Sequence, residues 1–196
     1  MKGILTDNEI VRLITNGNLT RAVSRQVRVL DGRKVISYGV SSYGYDVRLS
    51  DNEVKLFANT IDTNIIDPKD FDTSSLVSLK QHDKGNGKYV ILPSGGYALG
   101  STVEHFNMPP DVTCIVLGKS TYARSGIVVN VTPIEAGFRG TVVIELSNPS
   151  PLPVKIYLNE GIAQFLFFRG ANRCDVSYAD RKGKYQDQTG IQQSLV

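Results

Sequence analysis

The residues that usually build metal centres and nucleophilic triads are scarce in this chain. Its 196 residues include two cysteines, two histidines and no tryptophan. Cys114 and Cys174 stand far apart and fit no zinc-ligand spacing, which suits a reducing, cytoplasmic setting. His82, expected in a loop, and His105, expected at a strand end, lie away from any serine motif, so no serine or cysteine triad is indicated. The His-x-Glu and Pro-Cys-x-x-Cys pair of zinc-dependent nucleoside deaminases is missing. A Walker A loop and a Gly-x-Gly-x-x-Gly turn after a strand are missing too. No apolar run is long enough to span a membrane, and "MKGILTDNEI" turns polar too early for a signal peptide. Charge of either sign is modest, with 22 Lys plus Arg against 19 Asp plus Glu, a net +3. That balance argues against nucleic acid as a partner and suits a small polyanionic ligand.

What the chain does contain is enough apolar material for one core, 41% of residues, with 21% charged. "TDNEIVRLITNGN" predicts a short helix. Thr6 and Glu9 have capping-box spacing, Ile10, Leu13 and Ile14 recur on one face, and Asn16-Gly17 stops it. Beyond it, "EVKLFA", "KYVILP", "YALGSTVE", "VTCIVLG", "GIVVNVT", "TVVIELS", "VKIYL" and "IAQFLFF" predict short strands. Strands without interleaved helices predict a mostly β fold, a distorted antiparallel β-sandwich or barrel with few helices. One domain is expected over 1–196, with 1–36 as an N-terminal helical extension and 177–196 as a mobile polar tail. "KQHDKGNGK" is expected as an exposed loop or hairpin tip.

Several polar clusters can carry chemistry. In "GKSTYARSG", Lys119, Ser120, Thr121 and Arg124 offer charge and hydroxyls as a phosphate site requires, though a polar turn reads equally from the spacing. In "TPIEAGFRG", Glu135 and Arg139 flank Gly137 and Phe138, either as a sugar-binding pocket or as a hairpin loop with a surface ion pair. In "GTVVIELSN", alternation puts Val142, Ile144 and Leu146 on one face and Thr141, Val143, Glu145 and Ser147 on the other. Glu145 is then either a solvated side chain or a carboxylate at the base of a pocket, fit for general acid–base work. Gln164 in "GIAQFLFF" needs partners in an apolar strand. "SYADRKGKYQDQTG" supplies Tyr178, Arg181, Lys182, Lys184 and Gln188 on a glycine-hinged tail, either a disordered terminus or a segment that folds over a polyphosphate.

Taken in order, these stretches resemble the motifs of the trimeric dUTPase and dCTP deaminase superfamily. "SYGYDVRL", "KSTYARSG", "TPIEAGFRGTVVIELSN", "NEGIAQFLF" and "DRKGKYQDQTG" match its five motifs in order, over about residues 37 to 190. The resemblance implies a dUTPase-like fold. Glu145 and "KSTYAR" are similar to the deaminase branch, because the dUTPase branch is apolar at the position of Glu145. The implied activity is zinc-independent deamination of dCTP to dUTP, supplying dUTP for dUMP and dTMP synthesis, with Glu145 as acid/base. Ser120 and Arg124, with backbone groups near Thr132 and Pro133, would position the water, and Arg124 would balance Glu145.

The resemblance further implies nucleotide contacts from Lys119, Ser120, Thr121, Tyr122, Ala123 and Arg124. Others would come from Val143, Ile144, Glu145 and Gln164, and from Tyr178, Lys184 and Gln188 of the tail. Glu135 stands where the family usually has Asp, near the deoxyribose 3′-hydroxyl, and Phe138 would wall off a 2′-hydroxyl. Mg²⁺ would arrive on the triphosphate, no protein metal site is expected, and the enzyme would be a homotrimer with sites between subunits. A dUTP pyrophosphatase, a bifunctional deaminase and pyrophosphatase, and a non-catalytic nucleotide-binding domain are the competing readings.

Overall fold

The computed structural model describes residues 3–59 and 65–196. Its first element is α1 (Asp7–Thr15), where the Glu9 carboxylate reaches back 3.1 Å to the Thr6 N–H and Ile10 and Leu13 are buried. The strands follow as β1 (Leu19–Thr20), β2 (Val27–Leu30), β3 (Arg33–Ser41), β4 (Gly44–Arg48), β5 (Lys55–Phe57), β6 (Leu76–Ser78), β7 (His82–Asp83) and β8 (Lys88–Leu92). Then come β9 (Tyr97–Ser101), β10 (His105–Asn107), β11 (Val112–Gly118), the single-turn helix α2 (Ser120–Ala123) and β12 (Val128–Asn130). The order closes with β13 (Arg139–Gly140), β14 (Val143–Ser147), β15 (Val154–Tyr157) and β16 (Gly161–Arg169).

These strands pair antiparallel throughout. Two five-stranded sheets, in the orders β11-β16-β4-β3-β2 and β12-β14-β9-β5-β6, are accompanied by two three-stranded ones, β1-β10-β13 and β15-β8-β7. One apolar core holds them together. Tyr45 and Val47 of β4, Phe165 and Phe167 of β16, Ala98 of β9 and Ile144 and Leu146 of β14 are all buried in it. The expected mostly β architecture is the one observed. Every stretch predicted as a strand contains one.

Two expectations need correction. The helical character of 1–36 ends at Thr15, and β1, β2 and the start of β3 occupy the rest. Asp31 and Gly32, at φ 51° and 75°, form a two-residue turn that pairs Leu30 with Arg33. An Asp-Gly between β-branched runs is a hairpin signal that outweighs the helical start. His82 is not in a loop but opens β7, where its ring stacks on Tyr89 at 5.2 Å. The stretch 80–88 is indeed a hairpin tip, with Asp83 opposite Lys88. Among the described residues no helix is long and apolar enough to cross a membrane.

The C-terminal tail lies against the body. The Thr141 N–H donates to the Gln188 carbonyl at 3.0 Å, and the Gln188 side-chain amide donates back to the Thr141 carbonyl at 2.8 Å. Gly140, at φ 142°, makes this possible, because a Cβ there would stand 2.7 Å from the Gln188 carbonyl oxygen.

Candidate active site

A deep concavity follows from the alternation of β14. Its burial alternates residue by residue, so Ile144 and Leu146 enter the core while Val143 and Glu145 face a cavity of 630 Å³. β9 flanks β14 on one side and β12 on the other, which sets Leu99 and Asn130 opposite Glu145. The connection 131–138 supplies a second wall with Thr132, Pro133, Glu135 and Phe138. The tail supplies a third with Tyr178, Lys184 and Gln188.

Glu145 is the unusual group of this cavity. Its Oε2 is buried and has no hydrogen-bond partner among the described residues. Burial disfavours the charged form and lifts its pKa from the ordinary 4.5 to about 7. The carboxyl can therefore both take and return a proton near neutral pH. Tyr97 stands close by. Its own burial, and then the Glu145 charge, raise its pKa, while it hydrogen-bonds the Asn130 side chain. The phenol thus stays protonated beside the carboxylate.

The other walls are built by local packing. Phe138 is buried and meets the Tyr178 ring edge-on at 5.7 Å. The Tyr178 hydroxyl accepts the Tyr185 N–H at 2.9 Å, so one aromatic pair anchors the tail at the cavity. Glu135 pairs with Arg181 of the tail, and Arg139 pairs with Asp187. Lys184 donates to the Leu195 carbonyl at 2.6 Å, Ser194 donates to the Pro68 carbonyl at 2.8 Å, and Gln192, Gln193 and Ser194 join the cavity lining.

Glu135, Phe138, Val143, Glu145, Tyr178, Lys184 and Gln188 of the expected set are brought together here. The others are not. Ile144 is fully buried, so its side chain belongs to the core. Tyr122 is a core residue too, and its hydroxyl accepts the Tyr157 N–H at 2.7 Å. Lys119 is turned inward onto buried Asp46 at 2.7 Å. Ser120, Thr121 and Ala123 are exposed on α2 and Arg124 at its C-cap, and Thr121 lines a separate groove with Arg28, Arg33 and Lys34. The Gln164 side chain donates to the Ser41 hydroxyl at 3.4 Å, away from the cavity.

Sequence reasoning missed an aromatic cluster, Phe57, Phe71 and Tyr97, which forms part of the lining. Phe57 meets Tyr97 edge-on at 5.4 Å and Phe71 at 6.0 Å. The first two come from a region that carried no polar motif, so only the fold reveals them. Among the described residues no group of three or more His, Cys, Asp or Glu side chains clusters as a metal site.

A half-buried acid at the base of a largely apolar cavity on an antiparallel β body defines an acid–base site for a small polar ligand. The chain's relatives narrow that class. A family model described as dCTP deaminase-like matches residues 4–170, and the chain belongs to that family. It is 51% identical over 189 residues to the dCTP deaminase of Pelagibacter ubique, covering 96% of each chain. It is 57% identical over 160 residues to that of Campylobacter curvus, covering 82% of each. Among solved structures, the 2′-deoxycytidine 5′-triphosphate deaminase of Agrobacterium tumefaciens matches with a TM-score of 0.58 and 19% identity. That match covers 86% of this chain and 48% of the other, and it speaks for the fold.

Proposed function

We propose that this protein hydrolyses the C4 amine of dCTP, releasing dUTP and ammonia, with Glu145 as the acid/base. The observation that carries the reading is the bare, buried Oε2 of Glu145 at the cavity wall, in a chain whose curated relatives are dCTP deaminases. Attack of water on C4 requires the water to lose a proton while N3 gains one. The C4–N bond then breaks as the new C4 hydroxyl gives up its proton to become the carbonyl and the amine takes one and leaves as ammonia. A carboxylate with a pKa near neutrality beside N3 and C4 serves all these transfers in turn. Phe138 supports selection of a deoxyribose by presenting an apolar wall, and Glu135 offers an acceptor for a sugar hydroxyl.

The site is completed by a second copy of the chain. Ser120 and Arg124 are the residues expected to hold the water and balance the carboxylate, yet they are exposed on α2 and do not line the cavity. The strands beside α2 expose apolar side chains, Ile115 and Leu117 on β11 and Val128 on β12. Those are suitable for burial between subunits. A homotrimer with sites between subunits accommodates both facts. Mg²⁺ belongs to the substrate, as Mg–dCTP. Two free cysteines, one of them the exposed Cys174, agree with a cytoplasmic location.

The test is a product assay on purified protein with dCTP and Mg²⁺, following ammonia, pyrophosphate and nucleotides together. dUTP and ammonia without pyrophosphate is the expected outcome. dUMP with both small products means a bifunctional enzyme, and cleavage of dUTP with dCTP untouched overturns the deaminase reading.

A further inference from the structure

We propose that Tyr97 and Asn130 form a bracket across β14 that positions Glu145, holding its carboxyl against the cavity wall. The proposal rests on the deaminase reading for what Glu145 does. The strand order supplies the geometry. β9 and β12 lie on opposite sides of β14, and Tyr97 and Asn130 stand on these two strands. Tyr97 is opposite Ser147, and Asn130 is opposite Glu145. Residues opposite each other on antiparallel strands share a face, and so do Glu145 and Ser147, two apart on one strand. Both side chains therefore stand on the face that carries Glu145, and they are hydrogen-bonded to each other. Neighbouring strands are about 4.8 Å apart, so the bond joins strands about 10 Å apart and must pass over β14. Its ends fall at Glu145 and Ser147, which puts the bridge along the Ser147 side of the carboxyl.

A glutamate side chain has several torsions to fix, and the bare Oε2 of Glu145 has no bond among the described residues that would fix them. The bracket does so by exclusion, closing one side to the swing of the carboxyl and to water. It is itself well held. Tyr97 lines the cavity with Glu145 and packs edge-on against Phe57 at 5.4 Å, and Phe57 packs edge-on against Phe71 at 6.0 Å. Asn130 is exposed on β12, at the edge of its sheet, so an opened bracket admits water from that edge. The other ionisable groups around the carboxyl have partners of their own. Lys55 of β5 pairs with Glu53 at 3.4 Å, and Glu135 pairs with Arg181. From the tail, Lys184 donates to the Leu195 carbonyl, the Tyr178 phenol accepts the Tyr185 N–H, and the Tyr185 phenol accepts the Leu195 N–H at 3.2 Å. β12 carries no ionisable side chain. The bracket is thus the polar structure that stands against Glu145 from both neighbouring strands.

The experiment compares Tyr97→Phe, Asn130→Ala and the double variant with wild type, each in the full chain. Tyr97→Phe keeps the ring against Phe57 and removes only the hydroxyl, so the fold survives. The Glu145 carboxyl is titrated without nucleotide by carbon NMR of isotope-labelled glutamate, and its signal is identified by its loss in Glu145→Gln. Burial is what raises this pKa, so water entering through an open bracket is expected to lower it by about one unit in each variant. In turnover, kcat for dCTP is expected to fall about tenfold with KM within about twofold, and the acid limb of the pH profile moves down with the pKa. The double variant should be no worse than either single one, because the two side chains act as a unit. An unchanged pKa overturns the bracket. A raised pKa overturns it too, because that marks the phenol as a hydrogen-bond donor to the carboxylate. So does an intact kcat with KM raised about tenfold, which is the signature of a substrate contact. If the wild-type protein releases no ammonia from dCTP, the deaminase reading fails, and the NMR titration still decides the bracket.

Discussion

Glu104 and Glu145 are two glutamates withdrawn from water in one β body, and their surroundings treat them in opposite ways. Glu104 is fully buried, yet its carboxylate accepts the Arg48 Nε and N–H at 2.9 Å each and the Tyr45 hydroxyl at 3.2 Å. Arg48 is itself held over the Tyr38 ring at 4.9 Å. Burial still raises the Glu104 pKa, with Arg48 pulling it back. Glu145 is less buried and has one oxygen with no partner among the described residues. Burial lifts its pKa to about 7, and only a backbone contact opposes it. Burial alone therefore does not mark a site. The mark is a desolvated charge whose partners are missing and whose bare side faces a cavity.

The largest effect expected from this comparison is on Glu145 itself. Glu145→Gln should cut kcat by about 10³-fold, since it removes the proton carrier, while dCTP still binds. Near-normal turnover measured by ammonia release would discard the mechanism. A sharper version mixes this variant with Arg124→Ala. Each alone should be nearly inactive, and mixed oligomers should recover part of the activity, because some interfaces then join an intact Glu145 to an intact Arg124. No recovery in verified mixed oligomers would place both groups in one subunit's site.

Next in size is Glu104→Gln, which should lower unfolding stability by about 3 kcal/mol by breaking a buried pair. Its kcat at a temperature where it remains folded should stay within a few-fold of wild type. If denaturant melts show little change and turnover collapses instead, the contrast between the two glutamates is false. Truncation after Gly183 removes Lys184 and Gln188 from the cavity wall, and should raise KM for dCTP about tenfold. Steady-state kinetics check this, and an unchanged KM would mean the tail does not contact substrate.

The smallest effect is on stability against pH. Glu145 has a folded pKa above its unfolded value, so the folded state carries no penalty below about pH 4.5. The penalty grows between about 4.5 and about 7 and is complete above that. Glu145→Gln should therefore melt higher than wild type at pH 8 and equally at pH 4. An Arg124 arriving from a second copy shrinks the gap, so its size reports how close that guanidinium comes. A variant less stable at pH 8 than wild type would show that Glu145 is held by partners after all.

The sequence by itself determined much of this protein. Alternating strands separated by Gly, Pro and Asn required an antiparallel β body, because side chains at every second position share one face. The same period places Val143 and Glu145 on the face opposite Ile144. Thr6, Glu9 and Asn16-Gly17 bounded α1 through local hydrogen bonding and turn geometry. Tertiary structure decided what depends on residues distant in the chain. Phe57 and Tyr97 share a cavity with Glu145 because β5 and β9 pair beside β14, and Phe71 joins them by packing edge-on against Phe57. Lys119 reads as a phosphate ligand in "GKSTYARSG", and only the sheet that carries Asp46 past it turns it inward. The resemblance implied Tyr122 as a nucleotide contact, and the core claimed it because a phenol buries well once its hydroxyl has a partner. Local spacing fixes which side chains share a face, while desolvation and pairing, which fix their chemistry, exist only after the chain has folded.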